Sequence, residues 1–365
     1  MPNFQPKTEF SSRLNARAGR YLSRSKTGRF AGSGQWFRSG LLFLFCAAIY
    51  GLLYIDLNPW LVLISAAVLG AGIYTLIATV CHDAAHGSFA VGRWVNGICL
   101  FAGFSLIGVS GKLWAERHLR LHHMYPNVAG TDIDADGSSL LRLSPSRPWR
   151  AWHRFQCWYA IFLYALVLPH LAFVEDFEHL RKARRSWPDK FSGFRPLVEF
   201  TASKVVHVCL FLVMPLFLSE HGIILIVGYY LVFVSSASLL FVAINVGSHI
   251  SDEAEFYDPE EDGTLPLDWA HHQIRTSVDW APTSRVAIAL TGGANAHCAH
   301  HLFPRFAHSH NRALSRMVIK TAREFGVSLN ILAPWEVIRT HMAHLYKMSL
   351  PPQQSPGSNA GGPAG

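Results

Sequence analysis

The chain has 365 residues, 50% of them hydrophobic and only 15% charged, with a mean hydropathy of +0.20. Soluble domains average about 25% charged residues, so the composition excludes a water-soluble enzyme with a large core and points to a membrane protein. The formal charge of +8 comes with no nucleic-acid-binding motif and reads as basic residues flanking membrane spans on the cytoplasmic side. The six cysteines form no Cys-x-x-Cys pair and lie mostly in apolar stretches, which excludes a disulfide framework.

Residues 1–38 carry Lys7, Arg13, Arg17, Arg20, Arg24, Lys26, Arg29 and Arg38 against a single acid, Glu9. They read as a mobile cytoplasmic arm at the anionic membrane surface, without the short apolar region of a cleaved signal peptide. Residues 39–348 read as the membrane domain. Its apolar runs Leu41–Ile55 and Trp60–Val80 are joined by Asp56–Leu57–Asn58–Pro59, a break without Lys or Arg, and predict a helical hairpin. Val95–Val109 is short and Gly-rich, so it is expected to be re-entrant or interfacial. Phe155–Val174 is long enough to span. The basic block from Arg181 to Arg195 would then lie outside, so an interfacial position is predicted for it. Val205–Leu218 and Ile223–Asn245 predict a second hairpin, again with an uncharged-by-base connection, Ser219–Gly222. Ser251–Met348 reads as a cytoplasmic cap and 349–365 as a disordered tail rich in Pro, Gly and Ser. The expected fold is an all-α integral membrane protein with four transmembrane helices, interfacial helices and a histidine-rich cytoplasmic cap.

Nine histidines fall into four short groups beside these apolar runs: His82 and His86; His118, His122 and His123; His249; and His297, His300 and His301. Helical residues three or four apart share a face, so each multi-histidine group can aim two or three imidazoles at one point. Neutral imidazole suits Fe, Zn, Cu and Ni. Nine donors exceed the capacity of one tetrahedral or octahedral ion, so the spacing asks for two. Asp83, Glu116, Asp132, Asp134 and Asp136 stand near enough in sequence to orient ligand N–H groups, or to be solvated loop acids. His170, His207 and His221 read as structural. His153, His179, His308, His310, His341 and His344 read as surface or interfacial, so replacing His344 is expected to do little. The adjacent pair His271–His272 points in two directions on a helix and reads as a wall of the site rather than a chelate.

His82–Asp–Ala–Ala–His86–Gly, Arg117–His118–Leu–Arg–Leu–His122–His123 and Gly292–Gly293–Ala–Asn295–Ala–His297–Cys–Ala–His300–His301–Leu–Phe303–Pro304 resemble the three histidine boxes of the membrane-bound fatty acid desaturases. The stretch His272–Gln273–Ile–Arg275–Thr276–Ser–Val–Asp279 is similar to a segment these enzymes carry before the third box. Asn245-x-x-x-His249 is similar to the element that supplies one more histidine and a water-holding asparagine. The resemblance covers residues from about 40 to about 345 and implies that the nine histidines ligate a di-iron centre, with Asn245 acting through a water. Box lengths resemble the acyl-lipid and linoleoyl-type branch; many front-end members carry Gln at the position of His297, so His297 argues against that subgroup. The implied reaction is oxygen-dependent dehydrogenation of a fatty acyl chain. With no His-Pro-Gly-Gly motif in the chain, the implied electron donor is a separate protein of ferredoxin or cytochrome b5 type.

An unactivated methylene has no polar handle, so selectivity must come from an apolar tunnel. Trp114, Phe104 and Trp269 are possible wall residues, or simply interfacial packing. Hydroxylation, acetylenation and oxidative decarboxylation share this ligand set and stay open. The alternative of another class is a histidine-lined metal transporter, which would place its ligands near the bilayer midplane; here the groups sit at span ends.

Overall fold

The computed structural model describes residues 1–136 and 139–352, apart from the side chains of Ile133 and Asp136. The protein is built from helices. Four of them are long and apolar enough to cross a membrane: α2 (Ser33–Tyr54), α3 (Pro59–Ala85), α8 (Phe194–Leu218) and α9 (Ile223–Ser248). They overlap the four expected spans, with α2 and α8 beginning well before the runs Leu41–Ile55 and Val205–Leu218, and make this a multi-pass membrane protein. Helices α3 and α9 pack closely because small residues line their contact. A side chain on Gly70 would meet the Phe233 carbonyl at 2.4 Å.

Helix α1 (Glu9–Arg24) precedes the spans and corrects the expectation of a mobile arm. Phe10, Leu14 and Ala18 recur every four residues among the arginines and bury against Leu314, Val318 and Ala322 of α13 (Asn311–Phe325). Arg17 Nη2 donates to both carboxylate oxygens of Glu324, at 2.6 and 2.9 Å. The count of arginines hid an amphipathic helix. Strand β1 (Asn3–Gln5) then pairs in parallel with β2 (Thr264–Asp268).

Helix α4 (Arg93–Ser105) is only 13 residues long, about 20 Å at 1.5 Å per residue and short of a ~30 Å hydrocarbon layer. Helices α6 (Ala151–Ala165) and α7 (Val167–Ser186) form a pair bent by 72°, which would be a span only if counted as one helix. Pro169 explains the break: it has no N–H to donate to the carbonyl of Ala165, and its ring crowds that carbonyl.

The remaining elements are short. Helix α5 (Gly111–Arg117) runs into the second histidine group. Helices α10 (Trp269–Arg275), α11 (Arg285–Thr291) and α12 (His297–Leu302) lead to and carry the third, and α14 (Pro334–Ser349) closes the described chain. Strands β3 (Asp279–Trp280) and β4 (Ile331–Leu332) pair in parallel. The expected tail lies, from residue 353, outside the described residues.

Several surface assignments are corrected. His153, His308, His310, His341 and His344 are all buried, because each ring finds an internal partner. His341 Nδ1 donates to the Ile250 carbonyl at 2.6 Å and His344 Nε2 to the Leu143 carbonyl at 2.6 Å. Imidazole can satisfy both nitrogens inside a fold, which composition does not reveal.

Candidate metal centre

Each histidine group is shaped by the backbone that carries it. Residues Ile77–Cys81 of α3 form a π-helical turn that delivers His82 and His86. Residues His118–His122 form a second one. There the backbone N–H of His123 donates to the His118 carbonyl at 2.9 Å, an i→i+5 bond that stacks residues five apart. An α-helix would align His118 with His122; the wider turn also brings His123 over His118.

The third group depends on Gly292 and Gly293, with φ of +62° and +83°. A side chain on Gly292 would lie 1.9 Å from the Ala78 carbonyl in the π turn of α3. These glycines let the loop before α12 lie directly on the first group. Asp279 Oδ1 then accepts from the Cys298 N–H at 2.8 Å and holds the start of α12. Burial pushes the Asp279 carboxyl up to about 7.

All nine histidines converge, in two compact groups. Ring nitrogens of His82, His86, His118, His123 and His300 lie within 4.8 Å of one another, as do those of His122, His249, His297 and His301. The adjacent doublets divide: His123 and His300 join the first group, His122 and His301 the second. The rings of His123 and His301 stack at 4.3 Å between centroids and link the two.

The donor chemistry tests whether metal fits. His249 Nδ1 donates to the Thr276 carbonyl at 2.7 Å, and His301 Nδ1 to Gln273 Oε1 at 2.8 Å. Each Nε2 is therefore left with a lone pair, yet these two Nε2 atoms face each other at 3.0 Å. In the first group the Nε2 atoms of His82 and His118, of His118 and His123, and of His123 and His300 stand 3.0–3.1 Å apart. His86 Nε2 is buried without a partner. Lone pairs facing lone pairs call for a shared cation. Protonation does not supply it, because burial, then neighbouring imidazoles, holds His86, His118, His123, His249, His300 and His301 well below the usual histidine range. Burial likewise lowers His297 to about 3. His122 is the exception: burial opposes its charge, but Asp132 and Asp134 beside it raise it. The residues fit a metal site made of neutral imidazole nitrogen.

A second layer aims the rings. Asp132 Oδ1 and Asp134 Oδ2 stand 3.3 and 3.6 Å from His122 Nδ1. Gln273 Nε2 also donates to the His123 carbonyl at 3.2 Å. Asn127, held at a φ of +56°, donates to the His249 carbonyl at 2.9 Å. Of the acids expected to orient ligands, Asp83 instead binds His308 and Gln35, each at 2.8 Å, and Glu116 pairs with Arg120 and Lys190. The side chain of Asp136 lies outside the described residues. Gln273, Thr276 and Asn127 are the residues that sequence reasoning missed. The first two lie in the resembling segment before the third box, but a glutamine and a backbone carbonyl carry no spacing signal of their own.

Asn245 donates its amide to Tyr74 Oη at 2.8 Å and to the Phe241 carbonyl at 3.2 Å, leaving Oδ1 as an acceptor. Trp114 stacks on His118 with centroids 4.3 Å apart, and Phe104 packs on Trp114 at 4.6 Å. Trp269 packs on the apolar cluster that joins α1, α12 and α13. His272 donates to the Pro126 carbonyl at 2.9 Å, and His271 pairs with Asp268, so neither joins a group.

Comparison with known proteins agrees with this geometry. The family model described as fatty acid desaturase matches residues 58–333. An sn-1 linoleoyl-lipid 6-desaturase of Arthrospira platensis is 27% identical over 354 residues, covering 94% of both chains. An acyl-lipid (8-3)-desaturase of Mortierella alpina is 26% identical over 365 residues, covering 97% of this chain and 81% of its own. A further sn-1 linoleoyl-lipid 6-desaturase, from Synechocystis, is 28% identical over 272 residues, 74% of this chain and 75% of its own. With three histidine boxes folded into two buried imidazole groups at the ends of its spans, the chain belongs to the fatty acid desaturase family.

Proposed function

We propose that this protein is an oxygen-dependent di-iron desaturase that introduces a double bond into a fatty acyl chain carried on a lipid. The observation that supports it best is the pair of buried, all-nitrogen groups, five imidazoles beside four. We assign His82, His86, His118, His123 and His300 to one iron, and His122, His249, His297 and His301 to the other, with Asn245 acting through a water from its free Oδ1. When bound, such a pair of irons supplies the activation of dioxygen that an unactivated methylene requires. The chain's own contribution is to keep the imidazoles other than His122 neutral by burial, aim the rings through Gln273, Thr276, Asp132 and Asp134, and exclude water.

Trp114 and Phe104 are assigned to the wall that positions the acyl chain, since Trp114 lies against His118. Trp269 is not kept in that wall, given its place in the α1–α13 cluster. Electrons come from a separate ferredoxin or cytochrome b5 type protein. The metal site faces the cytoplasm; the absence of Lys and Arg from Asp56–Pro59 and Ser219–Gly222 favours this orientation.

The test is expression in a host with few fatty acids, beside a His301→Ala control, with lipids and hydrocarbons analysed by gas chromatography–mass spectrometry. A new unsaturated chain absent from the control is the expected result. A hydroxylated, acetylenic or terminal-alkene product would replace desaturation with that reaction on the same centre. Protein without iron and without product would return the histidines to metal transport.

A further inference from the structure

Helix α14 falls in the segment expected to form a cytoplasmic cap, and one of its faces does not suit water. Trp335, Ile338, Met342 and Tyr346 follow an i, i+3, i+7, i+11 spacing, which lines them up along one stripe. Every one of them is exposed, from 42% for Met342 to 64% for Trp335. The opposite stripe, Val337, His341, Leu345 and Met348, is buried in the protein. An apolar face is thus left bare on a helix that already has its own core contacts.

The position of this helix indicates what covers the bare face. Val337 sits against Gly247 at the end of span α9; a side chain on that glycine would meet it at 2.8 Å. Strands β3 and β4 pair in parallel, Asp279 with Ile331 and Trp280 with Leu332, so α11 and α14 leave the same small sheet. Helix α11 packs against Ile77–Cys81 of span α3. It too leaves apolar side chains bare, Val286 at 69% and Leu290 at 59%. The two helices therefore flank the ends of the two most closely packed spans. Arg285 opens α11, and the Arg339 guanidinium lies over the Trp335 ring at 6.0 Å. Tryptophan, tyrosine and snorkelling arginine beside aliphatic side chains are the composition of a helix lying at the headgroup level.

We propose that α14, together with α11, is a membrane-seated foot. The stripe Trp335–Ile338–Met342–Tyr346 dips into the leaflet next to the metal centre, and Arg339 and Arg285 meet anionic headgroups. The partner is a phospholipid surface, and the foot sets the height of the histidine groups above it. The inference needs neither bound metal nor turnover, so it stands or falls apart from the proposed reaction.

The experiment uses the full chain in nanodiscs of phosphatidylcholine with phosphatidylglycerol. Nitroxides are placed at Ile338→Cys and Met342→Cys, with Arg323→Cys on α13 as a water-facing control and the unsubstituted protein as the background for native cysteines. Power saturation should show both foot sites more accessible to oxygen than to a nickel chelate, and the control the reverse. In parallel, brominated lipid should quench less tryptophan emission in Trp335→Phe than in the parent, a measurement that needs no added cysteine. Nickel access at Ile338 and Met342 equal to that at Arg323 would overturn the proposal. So would shielding from both reagents, which would mean a second copy of the chain or another protein covers the stripe.

Discussion

His123 donates its backbone N–H to the His118 carbonyl at 2.9 Å, and the Nε2 atoms of the same two residues lie 3.0 Å apart. A single π-helical turn thus brings the rings of two residues five apart to one point. It also sends the intervening neighbour, His122, to the other group. His123→Ala should remove one donor from the five-imidazole group, and His301→Ala one from the four-imidazole group. Each variant should still enter the membrane, because neither residue lies within a span, and should lose iron measured by inductively coupled plasma mass spectrometry. Activity should fall by roughly 100-fold or more, at or beyond the upper end of what second-layer changes cause. Full activity in His301→Ala would remove that residue from the ligand set.

Gln273 offers a milder test of the same site. Its Oε1 fixes His301 Nδ1 and its Nε2 holds the His123 carbonyl. Gln273→Leu should weaken metal retention about 10–100-fold against a competing chelator, with helix content by circular dichroism unchanged. Parent-like retention would show that packing alone orients His301.

Gly292 lies in the left-handed region with the Ala78 carbonyl where a side chain would be. Gly292→Ala should incur about 1–2 kcal/mol of backbone strain and a further ~1–3 kcal/mol of overpacking. The third histidine group should be pushed off the first, so thermal stability and iron content should fall together. A variant that kept both would mean the loop can move aside.

His344 is buried, stacked on Phe256 with centroids 5.1 Å apart and bonded to the Leu143 carbonyl. His344→Ala should therefore destabilise the protein by about 1–3 kcal/mol through an unsatisfied carbonyl and lost packing. Metal content of the folded fraction should not change. A denaturant midpoint equal to the parent's would restore the sequence-based expectation that this residue matters little.

His341 makes stability depend on pH. Burial lowers it to about 4, below its value of about 6.5 in an unfolded chain. Between these values the unfolded state binds the extra proton, so stability present above pH ~6.5 declines as pH falls toward 4. His341→Gln should flatten part of this decline in melting temperature, measured on metal-free protein so that ligand loss does not contribute. An unaltered slope would assign the decline to other buried rings.

Periodicity along the chain was enough to determine the four spans and the histidine boxes, because a span needs only length and apolarity and a box needs only helical spacing. Arginine counts misled at α1, where Phe10, Leu14 and Ala18 form a core-facing stripe among the charges. The surface expectation for His341 and His344 failed because a buried imidazole is satisfied by carbonyls far away in sequence. Only the tertiary structure decided which of two adjacent histidines serves which group. That choice depends on π turns, on the Gly292–Ala78 approach, and on Gln273 and Thr276 reaching across from α10. The glycine approach and the Gln273 and Thr276 bonds join segments distant in sequence, and the π turns are local departures from the α-helix that residue spacing does not record.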